Sequence, residues 1–501
     1  LGPNHDIPEF DPYGAINNRE PDLNGNMQES SEELPPLNPG LMCDLIEGAE
    51  DIRLYRAGGR CPIHINQQLH NGRFTIVHKL GYGGFSTVWL ARDNAQEKYV
   101  AIRISTAENF DEEKKIEAIH DLLKEQSQAN PVAQYICLPL EHFVAESPNG
   151  KHQCSVFPFC GPSIAQISEA NNNIRQDELM ARFTSEEAQR GGLQAMQVLA
   201  FLHSPEVGVG HGDISSGNVV LDIGNLDHLS TEQLWEVVGH PKKFPMSLAS
   251  GEPLPSSAPD YVVDQIDPLK LFSYRTGNIK IIDFGSSYML NKPPASLGIP
   301  FMYRTPEHLL HNKIGKEGDI WALICVIWEL RCGGWLFGGF MSGYDIEVLR
   351  TMKATLMRPF PRQLLNEEGI EDGLDQPCFP DDESSEWSLR DRLESFTKTV
   401  RQPYRPEVDY AFQIEYSKGF SKLWNCVKWV ASWRPWEMKG ELKMATMSDD
   451  ELEVFLDLVN RSTVYEVEKR PSIVQMLSHP WFSKAFAKPS LEEWTPSDET
   501  E

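Results

Sequence analysis

Positive charge is scarce in this sequence: 46 Lys and Arg stand against 73 Asp and Glu, a net charge of -27 over 501 residues. That balance disfavours direct contact with nucleic acid or an anionic membrane, and suits either basic partners or plain solubility. No C-x-x-C pair occurs among the nine cysteines, and their number is odd. This argues against a disulfide framework or a zinc site, and for a reduced, intracellular setting, cytoplasmic and/or nuclear. No apolar run is long enough to span a bilayer. The longest, Ile320 to Trp328, is closed by Glu329 and Arg331 and reads as a buried helix. No secretory signal stands at the start, although the first residue is Leu rather than Met. No internal repeat is visible, and a monomer is expected.

What is present is enough apolar sequence, 40% of residues, for a substantial core. Residues 1–50 are rich in Pro, Asn, Asp and Glu, with little periodicity, and read as an acidic, disordered extension. Strand patterns follow at Arg73–Val77, Ser86–Leu90 and Tyr99–Ile104, with further strand candidates at 134–143 and 152–159; residues 111–126 look helical. The helix pattern through Ala195, Val198, Leu199 and Leu202 has i, i+3, i+4, i+7 spacing. Residues 222–278 are Pro/Ser-rich and mostly polar, and read as an insertion, not as a connection between packed elements. Helical patterns then run to His479-Pro480-Trp481-Phe482, and a polar tail follows from 486 to 501. Strands first and helices second predict an α+β protein in two parts: 51–160, strand-rich, and 161–485, helical.

Three short stretches carry chemistry. His211-Gly212-Asp213-Ile214-Ser215-Ser216-Gly217-Asn218 holds a carboxylate and, five residues on, a carboxamide. That spacing suits a base near an acceptor hydroxyl and a metal ligand turned towards a nucleotide phosphate. Leu80-Gly81-Tyr82-Gly83-Gly84-Phe85-Ser86-Thr87-Val88 lies between two strand halves. Its glycines let backbone N–H groups approach phosphates, and Val88 offers an apolar lid for a base. A plain hairpin turn has a similar look, but strand–turn–strand excludes a dinucleotide turn, which needs a helix next. Asp283-Phe284-Gly285 follows the apolar strand Ile279–Ile282, and Asp283 with Asn218 would give Mg²⁺ two oxygen ligands.

Together these stretches resemble the catalytic loop, glycine-rich loop and metal-binding triplet of protein kinases. Val100-Ala101-Ile102-Arg103 sits where kinases carry a strand lysine, and Tyr303-Arg304-Thr305-Pro306-Glu307 resembles the end of an activation segment. The resemblance implies a bilobal kinase fold with ATP and Mg²⁺. In it, Leu80, Gly81, Gly83, Ser86, Val88, Ala101 and Arg103 bind nucleotide, and Glu117, or else Glu113, is the partner of Arg103. Glu307 is expected to pair with Arg470, and Asp319-Ile320-Trp321 to brace the catalytic loop. Leu80 to Arg92 and Thr106-Ala107-Glu108-Asn109-Phe110 narrow the resemblance to the SR-protein kinases. Phe157 is then the gatekeeper; Pro158 offers adenine its carbonyl and Cys160 its N–H. The implied activity is ATP-dependent transfer of the γ-phosphate to Ser in basic, Arg/Ser-rich proteins, with Asp213 as base and Asn218 and Asp283 holding metal.

Several positions depart from the kinase pattern. Ser86 replaces a third glycine, Arg103 replaces the strand lysine, and Ser215 replaces the lysine two places after the catalytic aspartate. Gly212 replaces an arginine that would read a phosphorylated activation segment; Pro300 and Phe301 replace a threonine and an arginine. Arginine is longer, planar and always charged, so it cannot sit where lysine did. Loss of one charge-stabilising group costs on the order of 10²–10³ in rate. The alternative reading is therefore a catalytically impaired pseudokinase that scaffolds basic proteins. An acidic stretch, Glu367-Glu368 to Asp372 and Asp381-Asp382-Glu383 with Glu386, is the expected dock for Arg-rich substrate, or else a solvated loop.

Overall fold

The computed structural model describes residues 40–43, 49–111, 116–128, 130–173, 183–338, 345–365, 374, 388–398 and 447–483. Order begins earlier than the composition suggests: Leu41–Cys43 form a strand, β1, and Glu50 is almost fully buried. Both are held by partners distant in sequence, which local polarity cannot reveal.

The first part is built on β2 (Gln68–Leu69), β3 (Phe74–Tyr82), β4 (Ser86–Asp93), β5 (Lys98–Ser105), the helix α1 (Glu117–Ser127), β6 (Glu141–Ser147) and β7 (Gly150–Pro158). The strands make one six-stranded antiparallel sheet in the order β2-β3-β4-β5-β7-β6. Period-2 alternation sends Phe74, Ile76, Trp89, Ala91, Ile102 and Ile104 to one face, where they pack with Phe143, Cys154 and Val156. The strand expected over 134–143 starts later. Asn130 caps a 3-10 turn at Pro131–Tyr135, and the proline at its start fixes that turn.

The second part contains α2 (Ile164–Asn173), α3 (Ser185–Leu202), β8 (Val209–Gly210), β9 (Val219–Ile223), α4 (Thr231–Val238), β10 (Lys243–Leu248), β11 (Tyr261–Val263), α5 (Pro268–Phe272), β12 (Arg275–Ile281) and β13 (Tyr288–Met289). After these come α6 (Pro306–His311), α7 (Lys316–Cys332), α8 (Asp345–Leu356), α9 (Leu389–Lys398), α10 (Asp449–Ser462) and α11 (Ile473–Leu477). A reciprocal cap between Thr184 and Glu187 starts α3. Its apolar stripe packs on α7, which is buried from Asp319 to Cys332, so the run Ile320 to Trp328 is an interior helix. Trp321 and Trp328 are fully buried there, each stabilising by about 1.5–3 kcal/mol or more through area removed from water. Arg331 of α7 and Glu451 of α10 form a buried ion pair, and Arg470 grips Glu307 with two bonds of 2.6 and 2.7 Å. Among the described residues no helix is long and apolar enough to cross a membrane.

The stretch 222–278 is not a loose insertion. β10 pairs with β1 on one side and β11 on the other. Leu226, Leu234, Val238, Ile266 and Leu271 pack against Val77, Leu90 and Tyr99 of the first sheet. Hydrogen bonds fasten the same contact: Tyr99 N to Asp227 Oδ1 (2.7 Å), Arg92 Nη1 to Asp227 O (2.9 Å) and Trp235 Nε1 to Val77 O (3.2 Å). At its centre Lys79 of β3 forms a buried ion pair with Glu50 and donates to Val263 O of β11. The apolar residues here are spread singly over short elements, which is why no period shows in the sequence.

Candidate active site

The glycine-rich loop joins β3 to β4. Gly83 N–H donates to Ser86 O at 2.9 Å, and Gly81 pairs with Val88. A Cβ built at Gly83 meets nothing within 4 Å. The protein's own packing therefore does not require glycine there, and the space is free for a ligand to approach the backbone. The loop is gripped by Arg60, a residue that belongs to no motif. Its Nη1 donates to Ser86 O at 2.9 Å and its Nη2 to Gly83 O at 2.6 Å, from a buried position. Asn149 in turn holds the Arg60 carbonyl (2.6 Å) and donates to Ser257 O (2.7 Å), linking the loop's support to the 222–278 stretch.

Arg103 stands on β5 opposite Val88, and its Nε donates to Ser86 Oγ at 3.3 Å. Ala101 pairs with Phe157 and Val100 with Pro158, so the register of β5 on β7 sets the small residue beside the expected gatekeeper. Glu117 does not take the expected place beside Arg103. It is the first residue of α1, and its Oε1 accepts from Gln153 Nε2 of β7 at 3.2 Å. Glu113 lies outside the described residues. Cys160 follows β7, with its Sγ 3.9 Å from Cys137 Sγ.

The loop between β8 and β9 is hung from α7. Asp319 accepts from His211 N (2.8 Å) and Gly212 N (2.9 Å) and is bonded to His203 Nε2 (3.0 Å). Burial alone would raise its pKa, but these neighbours hold it below the usual carboxylate range. His211 is fully buried against the Phe284 ring; its Nδ1 accepts from Asp213 N at 3.2 Å, leaving Nε2–H to donate to Ile282 O. Gly212 has φ +79°, and a Cβ there would lie 2.4 Å from Ser286 O. The glycine that replaces an arginine is thus required by the backbone.

Asn218 turns its Nδ2 onto Asp213, 2.8 Å from both the carbonyl and Oδ2. This leaves Asn218 Oδ1 as its free acceptor side, while Asp213 Oδ1 is buried without a described partner. Burial, then the Asp283 charge, pushes Asp213 up to about 8, against the pull of Asn218. Asp283 adopts a left-handed conformation (φ 58°), with Oδ1 accepting from Gly285 N at 3.1 Å. Burial opposes its ionisation, yet Arg103, the Gly285 N–H and His211 hold its pKa below the ordinary value. Among the described residues no cluster of three or more His, Cys, Asp and Glu could hold a metal. Two hard oxygen donors, Asn218 and Asp283, fit Mg²⁺, which keeps waters and substrate phosphates as its other ligands.

A second connection was not legible in the sequence. Tyr303 OH lies 2.7 Å from Ser216 Oγ and donates to buried Glu329 of α7. It ties the catalytic loop to the segment before α6, where Pro300 offers no hydroxyl. Phe301 stacks under Arg304, whose Nε donates to Ile299 O. Ser215 is buried and brings no charge. The expected acidic dock, Glu367 to Glu386, lies outside the described residues.

The Protein kinase domain model matches residues 270–482. The chain is 24% identical over 400 residues to Protein kinase dsk1 of Schizosaccharomyces pombe, covering 64% of this chain and 71% of the relative. It is 27% identical over 305 residues to Serine/threonine-protein kinase SRPK of Physarum polycephalum, covering 58% and 67%. A crystal structure of a kinase domain superposes with a TM-score of 0.50 at 18% identity, covering 85% of this chain and 99% of that one, a likeness of fold alone. In its motifs and in these relatives, the chain is similar to the eukaryotic serine/threonine protein kinases of the SR-protein-kinase kind.

Proposed function

We propose that this chain transfers the γ-phosphate of ATP to serine hydroxyls in basic, Arg/Ser-rich proteins. The observation that carries the reading is the Asp213–Asn218 bond, which aims one carboxylate oxygen away without a described partner and leaves an amide oxygen for metal. Asp213 orients the acceptor hydroxyl and takes its proton at Oδ1. Asn218 and Asp283 would hold Mg²⁺, whose charge would neutralise the phosphates and favour the ionised form of Asp213. Gly81, Gly83 and Ser86 cover the phosphates, while Leu80, Val88 and Ala101 enclose the base beside Phe157, Pro158 and Cys160. The strongly acidic charge favours Arg-rich partners and speeds their encounter. Thiols at Cys61, Cys137, Cys154, Cys160 and Cys325 suit a reducing compartment, the cytoplasm and/or nucleus.

The test is phosphorylation of an Arg/Ser-repeat peptide by ATP with Mg²⁺, alongside Asp213→Ala and Asp283→Ala. Phosphoserine lost in Asp213→Ala, and Mg²⁺-dependent nucleotide binding lost in Asp283→Ala, are the expected results. A second reading, a scaffold that binds basic proteins without phosphorylating them, is favoured by Ser215, which supplies no cation. Peptide binding without phosphoserine would select it.

A further inference from the structure

Cys137 and Cys160 are far apart in sequence yet in contact, Sγ to Sγ 3.9 Å. A disulfide measures about 2.05 Å, so roughly 2 Å of approach by two side chains closes it. Both residues sit at consequential places. Cys160 follows β7 in the connection between the two parts, next to the residues that would meet adenine, and is partly exposed. Cys137 is buried, and its N–H donates to Ile281 O at 2.9 Å, two residues before Asp283. The other buried thiols differ: burial pushes Cys61 up to about 12, and Cys154 and Cys325 are raised as well. Cys160 is set apart by its neighbours: its Sγ touches Cys137 Sγ, where either sulfur can donate, and its S–H reaches Pro158 O at 3.6 Å. A partly exposed thiol in contact with a buried resolving thiol is the arrangement in which peroxide gives a disulfide.

We propose that Cys137 and Cys160 are a peroxide-oxidisable pair whose disulfide ties the interlobe connection to the strand ahead of Asp283 and weakens nucleotide binding. The Cys160 thiolate attacks one peroxide oxygen, breaking O–O and giving a sulfenic acid and hydroxide. Cys137 sulfur then attacks the sulfenyl sulfur, breaking S–O; hydroxide leaves and takes up the proton lost by Cys137, so two thiols and one peroxide give one disulfide and two waters. The bond draws Cys160 inward and displaces the backbone N–H assigned to adenine. The effect on nucleotide rests on the proposed function; the thiol chemistry does not.

The full chain is treated with hydrogen peroxide, mapped by non-reducing peptide mass spectrometry, and titrated with Mg-ATP before and after dithiothreitol. The expected result is a linked peptide pair containing residues 137 and 160, with Mg-ATP affinity weakened by about tenfold, both reversed by dithiothreitol. Cys137→Ser should match the reduced parent in affinity and form no link. Peroxide uptake at other thiols without a 137–160 link overturns the proposal, as does a link that leaves affinity unchanged. Failure of the reduced protein to bind Mg-ATP counts against the nucleotide reading instead, and the peptide map alone then decides the thiol chemistry.

Discussion

Arg103 Nε donates to Ser86 Oγ across 3.3 Å, so two departures from the kinase pattern satisfy each other. From the sequence alone Arg103 reads as a departure that cannot sit where lysine did, and, if it is a misfit, a return to lysine should raise activity. The structure argues the reverse, because lysine places a methylene where Arg103 has its Nε and so cannot donate to Ser86 from there, and its compact ammonium presents the same unit charge to Asp283 with a different shape. Arg103→Lys should therefore weaken Mg-ATP binding by about three- to tenfold, the net worth of an ordinary hydrogen bond, as suits one as long as 3.3 Å. The double variant Arg103→Lys with Ser86→Gly should recover more than the two single effects predict. Isothermal titration of the four proteins as a cycle checks this; strict additivity would refute the coupling.

Arg60 should matter for nucleotide without touching it. Arg60→Met keeps the apolar stem and removes the donors to Gly83 O and Ser86 O. Losing a hydrogen bond from a charged donor costs about 1.5–3 kcal/mol, part of which should appear as a loosened loop. Faster amide exchange over residues 81–86 and a raised KM for ATP, with kcat changed less, are expected. Unchanged exchange in a folded variant would show that the loop is held by other contacts.

The Ser216–Tyr303 bond should govern the protein substrate, not the nucleotide. Ser216→Ala and Tyr303→Phe should each lower kcat/KM for the peptide by about tenfold, and the pair together should lower it little further. Their Mg-ATP dissociation constants should match the parent's. An additive double variant would mean that the two hydroxyls act separately.

Acid should destabilise the fold before most carboxylates protonate. His120 is lowered to about 4 by burial, His142, Lys124 and Arg103; His308 is lowered to about 4 by burial and Arg304. Both are neutral in the native chain where the unfolded chain binds protons. Their stabilisation is present above pH 6.5 and is lost as pH falls towards about 4. Each contributes on the order of 1–3 kcal/mol over that window. The melting temperature should fall across it, and less steeply in His120→Gln with His308→Gln. Parallel curves for the two proteins would refute the assignment.

The residues legible in advance were those whose chemistry is written in a few adjacent letters. Asp213 with Asn218, Asp283 with Gly285, and the loop from Leu80 to Val88 need only local spacing to be recognised. Asp319 and the Glu307–Arg470 pair were reachable because each is attached to such a stretch. Arg60, Ser216 and the role of Tyr303 were not, because each acts through hydrogen bonds to partners distant in sequence and their residue types are common. The choice between Glu117 and Glu113 stayed open because a run of charges does not reveal helix phase; Glu117 is bonded to Gln153 of β7. The stretch 222–278 hid its packing by spreading Leu226, Leu234, Val238 and Ile266 over elements too short to show a period.

Gly212 closes a route as well as a turn. With φ at +79° and Ser286 O only 2.4 Å from where a Cβ would stand, any larger residue must reshape the segment after Asp283 before its side chain can act. Regaining an arginine that senses phosphate at this position is therefore not one substitution away, even if the codon is. Control through a phosphate-reading arginine at this one position would first need a different backbone.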